Sequence, residues 1–503
     1  MRDGDARLDE TSKVHRPVTS AIFLGASQAL RLLLTILSSI VIARLLSPDD
    51  YGVVAMAGPV IGFITMFQDL GLSAATIQKE KITNAESNAL FWINLLASIA
   101  IALMLLLVAP ITAWFYGDVR AGYITGASAL TVLINGCSMQ QSALLNRHMR
   151  FGLLSVIDVA NALVTFIVAA ATALILHSYW ALYFGTLVGV SVQTMMIWRF
   201  SHWRPSKNMA LAKAKEMARF GGHVTGSNLL NFFVRNADNV IIARFDGAAM
   251  LGLYDRSYKL MMLPVQNLNA PVTRLLMPML SRMINEPERY RSTFLFSVWT
   301  IMLALAPGVA IATALSNRLM PFLLGENWSA AGPIFFWLGL AGLVQPVANM
   351  TGVLFLTTGE TARMMRWGVF SALVTIIGFF VGLQWGAIGV AASLFVTVLI
   401  RLPILFAICI KGTNITSLDL YKVQIGPIIG SGIGVGIVIW ISNYLTIGPL
   451  LCLSIPMTYV LALVSTLFFS EGRATIFRHY KLVIDAFNHI SISLSTMKRL
   501  KNL

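Results

Sequence analysis

Charged side chains are scarce in this sequence. Asp, Glu, Lys and Arg make up 12% of its 503 residues, whereas 57% are hydrophobic. Soluble domains carry about a quarter charged residues. With a mean hydropathy of +0.74, the shortage excludes a soluble globular chain and reads as an integral membrane protein. Cysteine is nearly absent. Cys137, Cys409 and Cys452 lie far apart inside apolar runs and match no disulfide framework or metal-ligand spacing. Catalytic signatures are missing too. There is no GxxxxGK(S/T) phosphate loop, no HExxH and no GxSxG. No loop is long enough to fold as a catalytic domain, so an enzyme is not expected. The opening "MRDGDARLDETSKVHRP" is too polar and too mixed in sign for a signal peptide, so the first spanning segment is expected to direct insertion.

What is present is a succession of long apolar runs. A helix needs about 20 apolar residues to cross the hydrocarbon core. That rule gives fourteen segments, near 19–45, 51–75, 87–115, 121–146, 153–176, 179–200, 219–244, 251–282, 292–317, 329–357, 363–384, 386–410, 420–445 and 448–470. None shows the strict alternation of a barrel strand, and open sheets cannot span lipid. The expected class is therefore an all-α polytopic membrane protein. Its parts are a cytoplasmic tail (1–18), an N-lobe of six helices (19–200) and a basic linker (201–218). A second six-helix lobe (219–412), an extra helix pair (413–470) and a basic tail (471–503) follow.

The net charge of +15 does not point to nucleic acid, because the basic residues sit in short loops between apolar runs. With the N-terminus in the cytoplasm, the periplasmic turns hold only Arg44, Arg120, Arg244 and Arg318. Arg31, Arg235, Arg256, Lys259, Arg274 and Arg401 fall inside segments, and the remaining 27 of the 37 Lys and Arg residues face the cytoplasm. This is the positive-inside pattern, and it places both termini in the cytoplasm.

The chain also repeats itself. "IVIARLLSPDDYG" (Ile40–Gly52) aligns with "VIIARFDGAAMLG" (Val240–Gly252) at an offset of 200 without a gap. The same offset matches Gln28, Arg31, Thr35 and Ser38 with Asn228, Asn231, Arg235 and Asp238, two polar stripes at helical spacing. Both segments run from inside to outside, so the repeat is parallel, with two lobes around a central cavity.

A charge at the bilayer centre costs about 2.5–3.5 kcal/mol on insertion scales and almost always faces a bundle interior or water. Arg31, Arg235, Arg256, Lys259 and Arg274 are therefore the candidate lining of a cationic cavity. Gln28, Asn228, Asn231 and Asn267 form its polar seam. Arginine forks suit phosphate oxygens and amides suit hydroxyl-rich ligands, a combination that fits a sugar phosphate. Simpler readings stand beside this one. Arg235 and Asp238 could neutralise each other three residues apart, and Arg256 could snorkel to the interface. Among the acids, Asp238 and Asp158 are the candidates for ion coupling, with Asp69 and Asp255 at segment edges. For Asp158 the alternative is a carboxylate stabilised by its helix dipole. In the tail, Ile476, Tyr480, Val483 and Phe487 share a stripe, as in an amphipathic helix lying on the membrane or packed against the bundle.

Four blocks carry a resemblance: "SSIVIARLLSPDDYGVVAMA", "FQDLGLSAATIQKE", "QSALLNRHMRFGLLSVIDVA" and "NADNVIIARFDGAAMLGLYDRSYKLMMLPVQNL". Over roughly residues 18–410 the chain resembles the polysaccharide transporter family. It looks most like the Wzx-type flippases of the colanic-acid and succinoglycan branch, within the multidrug/oligosaccharidyl-lipid/polysaccharide exporter superfamily. The resemblance implies translocation of undecaprenyl-pyrophosphate-linked oligosaccharide units across the bacterial inner membrane by alternating access, with cavity arginines holding the pyrophosphate. It implies no cofactor beyond a proton or sodium gradient. The implied partners are the lipid-linked oligosaccharide, membrane lipids and a polymerase with its chain-length regulator, with no nucleic acid. A peptidoglycan-precursor flippase and a cation-coupled multidrug antiporter of the same superfamily are the alternatives.

Overall fold

The computed structural model describes residues 17–69, 71–79, 82–208, 232 and 235–467. Asn228, Asn231, most of the basic linker and the tail from 471 onward lie outside the described residues. Among those described, every regular element is helical. The order is α1 Pro17–Leu45, α2 Pro48–Thr65, α3 Leu72–Gln78, α4 Asn84–Tyr116, α5 Val119–Gly136, α6 Met139–Arg147, α7 Phe151–Leu176 and α8 Trp180–Phe200. After these come α9 over 235–245, α10 Gly247–Arg282, α11 Pro287–Ala314, α12 Ser316–Leu324, α13 Ala331–Thr357, α14 Thr361–Gly382, α15 Gly386–Cys409, α16 Ser417–Ile441 and α17 Ile447–Leu467.

The fourteen expected segments thus correspond to seventeen described helices. Segment two breaks after Thr65 and resumes as α3, with Gly71 in the left-handed region at φ 69°. Segment four breaks between α5 and α6, and α12 is a short helix of its own. A window of about 20 apolar residues averages across such breaks. Length and apolarity alone single out nine stretches among the described residues: α1, α4, α7, α8, α11, α13, α16, α17 and one continuous run over α14 and α15. Fourteen crossings do not follow from that standard. α2 opens on Asp49 and Asp50, and α10 carries Asp255, Arg256, Lys259 and Arg274. The protein is a multi-pass, all-α membrane protein.

Helix starts follow directly from local sequence. Ser47 with Asp50, Thr83 with Glu86 and Thr416 with Asp419 each form a reciprocal capping box at the head of α2, α4 and α16. Each satisfies backbone N–H groups that the first turn leaves without partners. α10 continues as one helix through Pro264, Pro271 and Pro278.

The chain divides into two compact units, Met1–Gly252 and Leu253–Leu503. In the first, Ile64, Ile101, Leu105 and Val132 join α2, α4 and α5 in one apolar cluster, and Leu145, Ile157 and Ile197 join α6, α7 and α8. In the second, a large core gathers Leu280, Phe294, Met302, Leu354 and Phe406 from α10, α11, α13 and α15. Helices α16 and α17 meet along a stripe of small residues. A Cβ on Gly426 would come within 2.6 Å of Thr466, and one on Gly430 within 2.4 Å of Ala462. Ser465 Oγ donates to the Gly426 carbonyl at 2.6 Å across that contact. Close approach of small residues substitutes for the hydrophobic drive that lipid does not supply between helices.

Candidate functional site

In the first unit, α1 presents Gln28, Arg31 and Thr35 on one exposed face. The Arg31 guanidinium reaches across to α7, with Nη1 3.5 Å from Asp158 Oδ2. Asp158 Oδ1 accepts from Gln193 Nε2 of α8 at 3.3 Å. Asn161 Nδ2 donates to Gln193 Oε1 at 3.2 Å, and Thr165 donates to Asn161 Oδ1 at 3.2 Å. One polar chain therefore runs over α1, α7 and α8. The Arg31 and Asp158 side chains keep 50% and 40% of their exposure, and charges so open at membrane depth are tolerated facing water rather than lipid. Arg31 has five N–H donors, of which Asp158 engages one, so the fork stays available to an anion.

Arg31 has no acid in its own helix, and its carboxylate partner comes from α7, 127 residues away. Asp158 lies two turns inside α7, beyond the first turn in which the dipole acts, and its partners are Arg31 and Gln193.

The α9 pair behaves differently. Arg235 is exposed. Asp238 is buried at 5% and accepts from the Asn239 backbone N–H at 2.8 Å. Among the described residues no ion pair joins Arg235 to Asp238, so the expected local neutralisation is not made.

In the second unit, α10 holds the remaining candidates. Lys259 Nζ lies 2.7 Å from Asp255 Oδ2 one turn earlier, so Lys259 too has a carboxylate neighbour. Arg256 is half-buried and Arg274 exposed. Asn267 turns its amide back to the Leu263 carbonyl at 2.8 Å, so part of the expected seam is satisfied within its own helix. Arg401, the last of the intramembrane cations, is taken up by neutral groups. Its Nε donates to the Thr397 carbonyl at 3.0 Å and its Nη1 to the Ser371 carbonyl at 2.9 Å. It fastens α14 to α15.

Asp69 is likewise a structural acid, since its carboxylate accepts from the backbone N–H and the hydroxyl of Ser73 at 3.1 and 2.6 Å. Several polar residues outside the sequence expectations are buried in the first unit. Gln68 donates to Ser98 and to the Val132 carbonyl, both at 2.9 Å. Asn94, Gln140 and Gln141 are fully buried. Their only signal in the sequence was an amide in an apolar run. Among the described residues no group of three or more His, Cys, Asp or Glu side chains could hold a metal ion.

The family model described as "Polysaccharide biosynthesis protein" matches residues 41–333. The Escherichia coli lipopolysaccharide biosynthesis protein WzxC is 24% identical over 429 residues, covering 84% of this chain and 83% of that protein. The Rhizobium meliloti succinoglycan biosynthesis transport protein ExoT is 26% identical over 336 residues, 67% of this chain and 68% of its own. Among solved structures, the lipid II flippase MurJ in an inward closed conformation aligns with a TM-score of 0.73 at 12% identity, over 89% of this chain and 98% of that one. An inward-facing multidrug resistance MATE transporter aligns with a TM-score of 0.61 at 12% identity, over 78% and 95%. At such identities the structural likeness speaks for the fold alone.

Proposed function

Because the chain belongs to the polysaccharide biosynthesis protein family, we propose that it is a transporter, not an enzyme, that flips undecaprenyl-pyrophosphate-linked oligosaccharide units across the bacterial inner membrane. It works by alternating access, with both termini in the cytoplasm and with a polymerase and chain-length regulator as downstream partners. The relatives named for lipopolysaccharide and succinoglycan biosynthesis support this reading.

The observation that carries the site is the half-open Arg31–Asp158–Gln193 chain. Arg31 offers its fork to the pyrophosphate, joined by Arg235 of α9. In the second unit Arg256, Lys259 and Arg274 of α10 supply further cationic donors. Gln28, with Asn228 and Asn231, contacts sugar hydroxyls. Asp158 competes with phosphate for Arg31: a proton on Asp158 frees the guanidinium for substrate, and loss of that proton draws it back. Gradient coupling through Asp158, or through Asp238, follows from the same exchange.

The test is polymer export in a deletion strain complemented with wild type or Arg235→Ala, with lipid-linked units assayed in each leaflet. Units accumulating on the cytoplasmic face in the deletion and Arg235→Ala strains are the expected result. Normal crossing in the deletion strain would overturn the flippase reading.

A further inference from the structure

At the end of α14 that the loop charges assign to the cytoplasm, a cavity of about 380 Å³ opens between α14 and α15. Its walls are apolar: Trp367 and Phe370 from α14, with ring centroids 5.7 Å apart, face Ile404 and Ile408 from α15. Its mouth is basic, with Arg363, Arg366 and Lys411 around it. These three cations differ in what they already hold. Arg363 donates to Glu360 at 3.0 Å and to the Lys411 carbonyl at 3.3 Å, so it is neutralised and ties the start of α14 to the segment after α15. Arg366 and Lys411 are exposed, and among the described residues neither has a carboxylate partner. The mouth therefore presents two uncompensated positive charges.

Apolar surface continues inward from these charges on both helices. Phe370, Leu373 and Ile377 are 43%, 57% and 62% exposed along α14, and Ile404 and Ile400 are 39% and 59% exposed along α15. From Ile408 to Ile400 the row extends for about 12 Å at 1.5 Å per residue, enough to lay down much of an acyl chain. A soluble anion would find two cations but no use for the rows. A zwitterionic lipid would fill the rows but bring its own cation to the mouth.

We propose that this groove is a binding site for an anionic glycerophospholipid. Its phosphate sits between Arg366 and Lys411, and one acyl chain lies along Phe370–Ile377 and Ile408–Ile400. Basic pockets between spanning helices hold anionic headgroups in this manner, each cation near the surface adding attraction. The groove uses none of the residues of the Arg31 chain and does not depend on the transport substrate.

Native mass spectrometry of the detergent-purified full chain tests it, with phosphatidylglycerol and phosphatidylcholine of matched chains as probes. Wild type is expected to retain phosphatidylglycerol preferentially. Arg366→Gln with Lys411→Gln should weaken that retention about 30-fold, while Arg366→Lys with Lys411→Arg preserves it. Lys422→Gln, an exposed cation on α16, should leave retention unchanged, and added inorganic phosphate should not displace the lipid. Equal retention of both lipids, an unchanged double glutamine variant, or displacement by inorganic phosphate would each overturn the proposal.

Discussion

Gly52 of α2 lies so close to Ala248 in the first turn of α10 that a Cβ on it would overlap the Ala248 carbonyl. Gly252 stands in the same relation to the carbonyl of Pro48. Positions 52 and 252, like 48 and 248, are 200 apart, so each copy of the repeat offers the other the same glycine and the same carbonyl. Contacts of this self-complementary kind belong to two-fold relationships. The flanking burial repeats as well: Ile42, Ala43 and Tyr51 are buried, and so are Ile242, Ala243 and Leu251.

Replacing either glycine should therefore be costly in a way that helix propensity does not foresee. The obstructing atoms are backbone, which cannot rotate away. Gly52→Ala and Gly252→Ala should each destabilise by about 1–3 kcal/mol, as overpacking does. Gly58→Ala, in the same helix with open space around it, should be neutral or slightly stabilising. Thermal unfolding in detergent compares the three. The two harmful changes share one contact, so the double variant should lose less than the sum of the singles. Simple additivity would mean the two contacts are independent.

The Arg31–Asp158 pair separates a structural role from a binding one. Arg31→Asp with Asp158→Arg restores an ion pair between α1 and α7 but removes the guanidinium from α1. If the pair only holds helices together, export returns in the swapped variant. The expected outcome is membrane insertion and thermal stability near wild type, with export still lost. Recovery of polymer in the swapped variant would assign Arg31 to structure.

Much of the fold was legible because it depends on near neighbours in sequence. The apolar runs of α4, α7 and α13 are local signals. The breaks at Gly71 and between α5 and α6 were not legible, since a hydropathy window sums over them. The site was legible as a set of residue types and not as partnerships. Arg31 and Asp158 each stood out as charges in apolar segments, but nothing local says that residues 127 apart will meet. The repeat showed that positions 52 and 252 correspond. It could not show that each glycine makes room for the other copy's carbonyl.

Arg291 and Asp419 form a second informative pair, anchoring α16 to α11. Arg291 Nε and Nη2 approach the two Asp419 oxygens at 2.9 and 2.7 Å, and the same carboxylate accepts from the Thr416 backbone N–H at 2.9 Å. Asp419→Ala loses the pair and half of the capping box together. The expected loss lies toward the low end of the about 3–5 kcal/mol that breaking a buried pair costs, because Arg291 retains 31% exposure. Asp419→Asn keeps one acceptor oxygen, which can still take the Thr416 N–H and Arg291 Nε in place of Oδ2, and should lose less. A melting curve in which Asp419→Asn is as damaged as Asp419→Ala would show that charge, rather than hydrogen bonding, holds α16.

A third cluster makes stability depend on pH. Arg120 Nη2 lies 2.7 Å from Asp118 Oδ2 and 3.2 Å from Asp49 Oδ1, joining the starts of α5 and α2. Burial pushes the Asp118 carboxyl up, but hydrogen bonds from the Arg120 side chain and backbone outweigh it and leave the group below its ordinary value. A carboxylate held down in the folded state contributes stability that is fully present above its unfolded pKa, about 3.9. That contribution is lost as pH falls through the lower folded value. Asp118→Asn keeps the side-chain oxygen that caps α5 at Arg120 but cannot be charged. Its melting temperature should fall below wild type at pH 7, and the gap should close as the pH is lowered past about 4. Arg120→Gln should abolish the pH dependence of that gap by removing the cation responsible. A melting temperature equal to wild type from pH 7 to the acid limit would mean that Asp118 acts through its capping hydrogen bond alone.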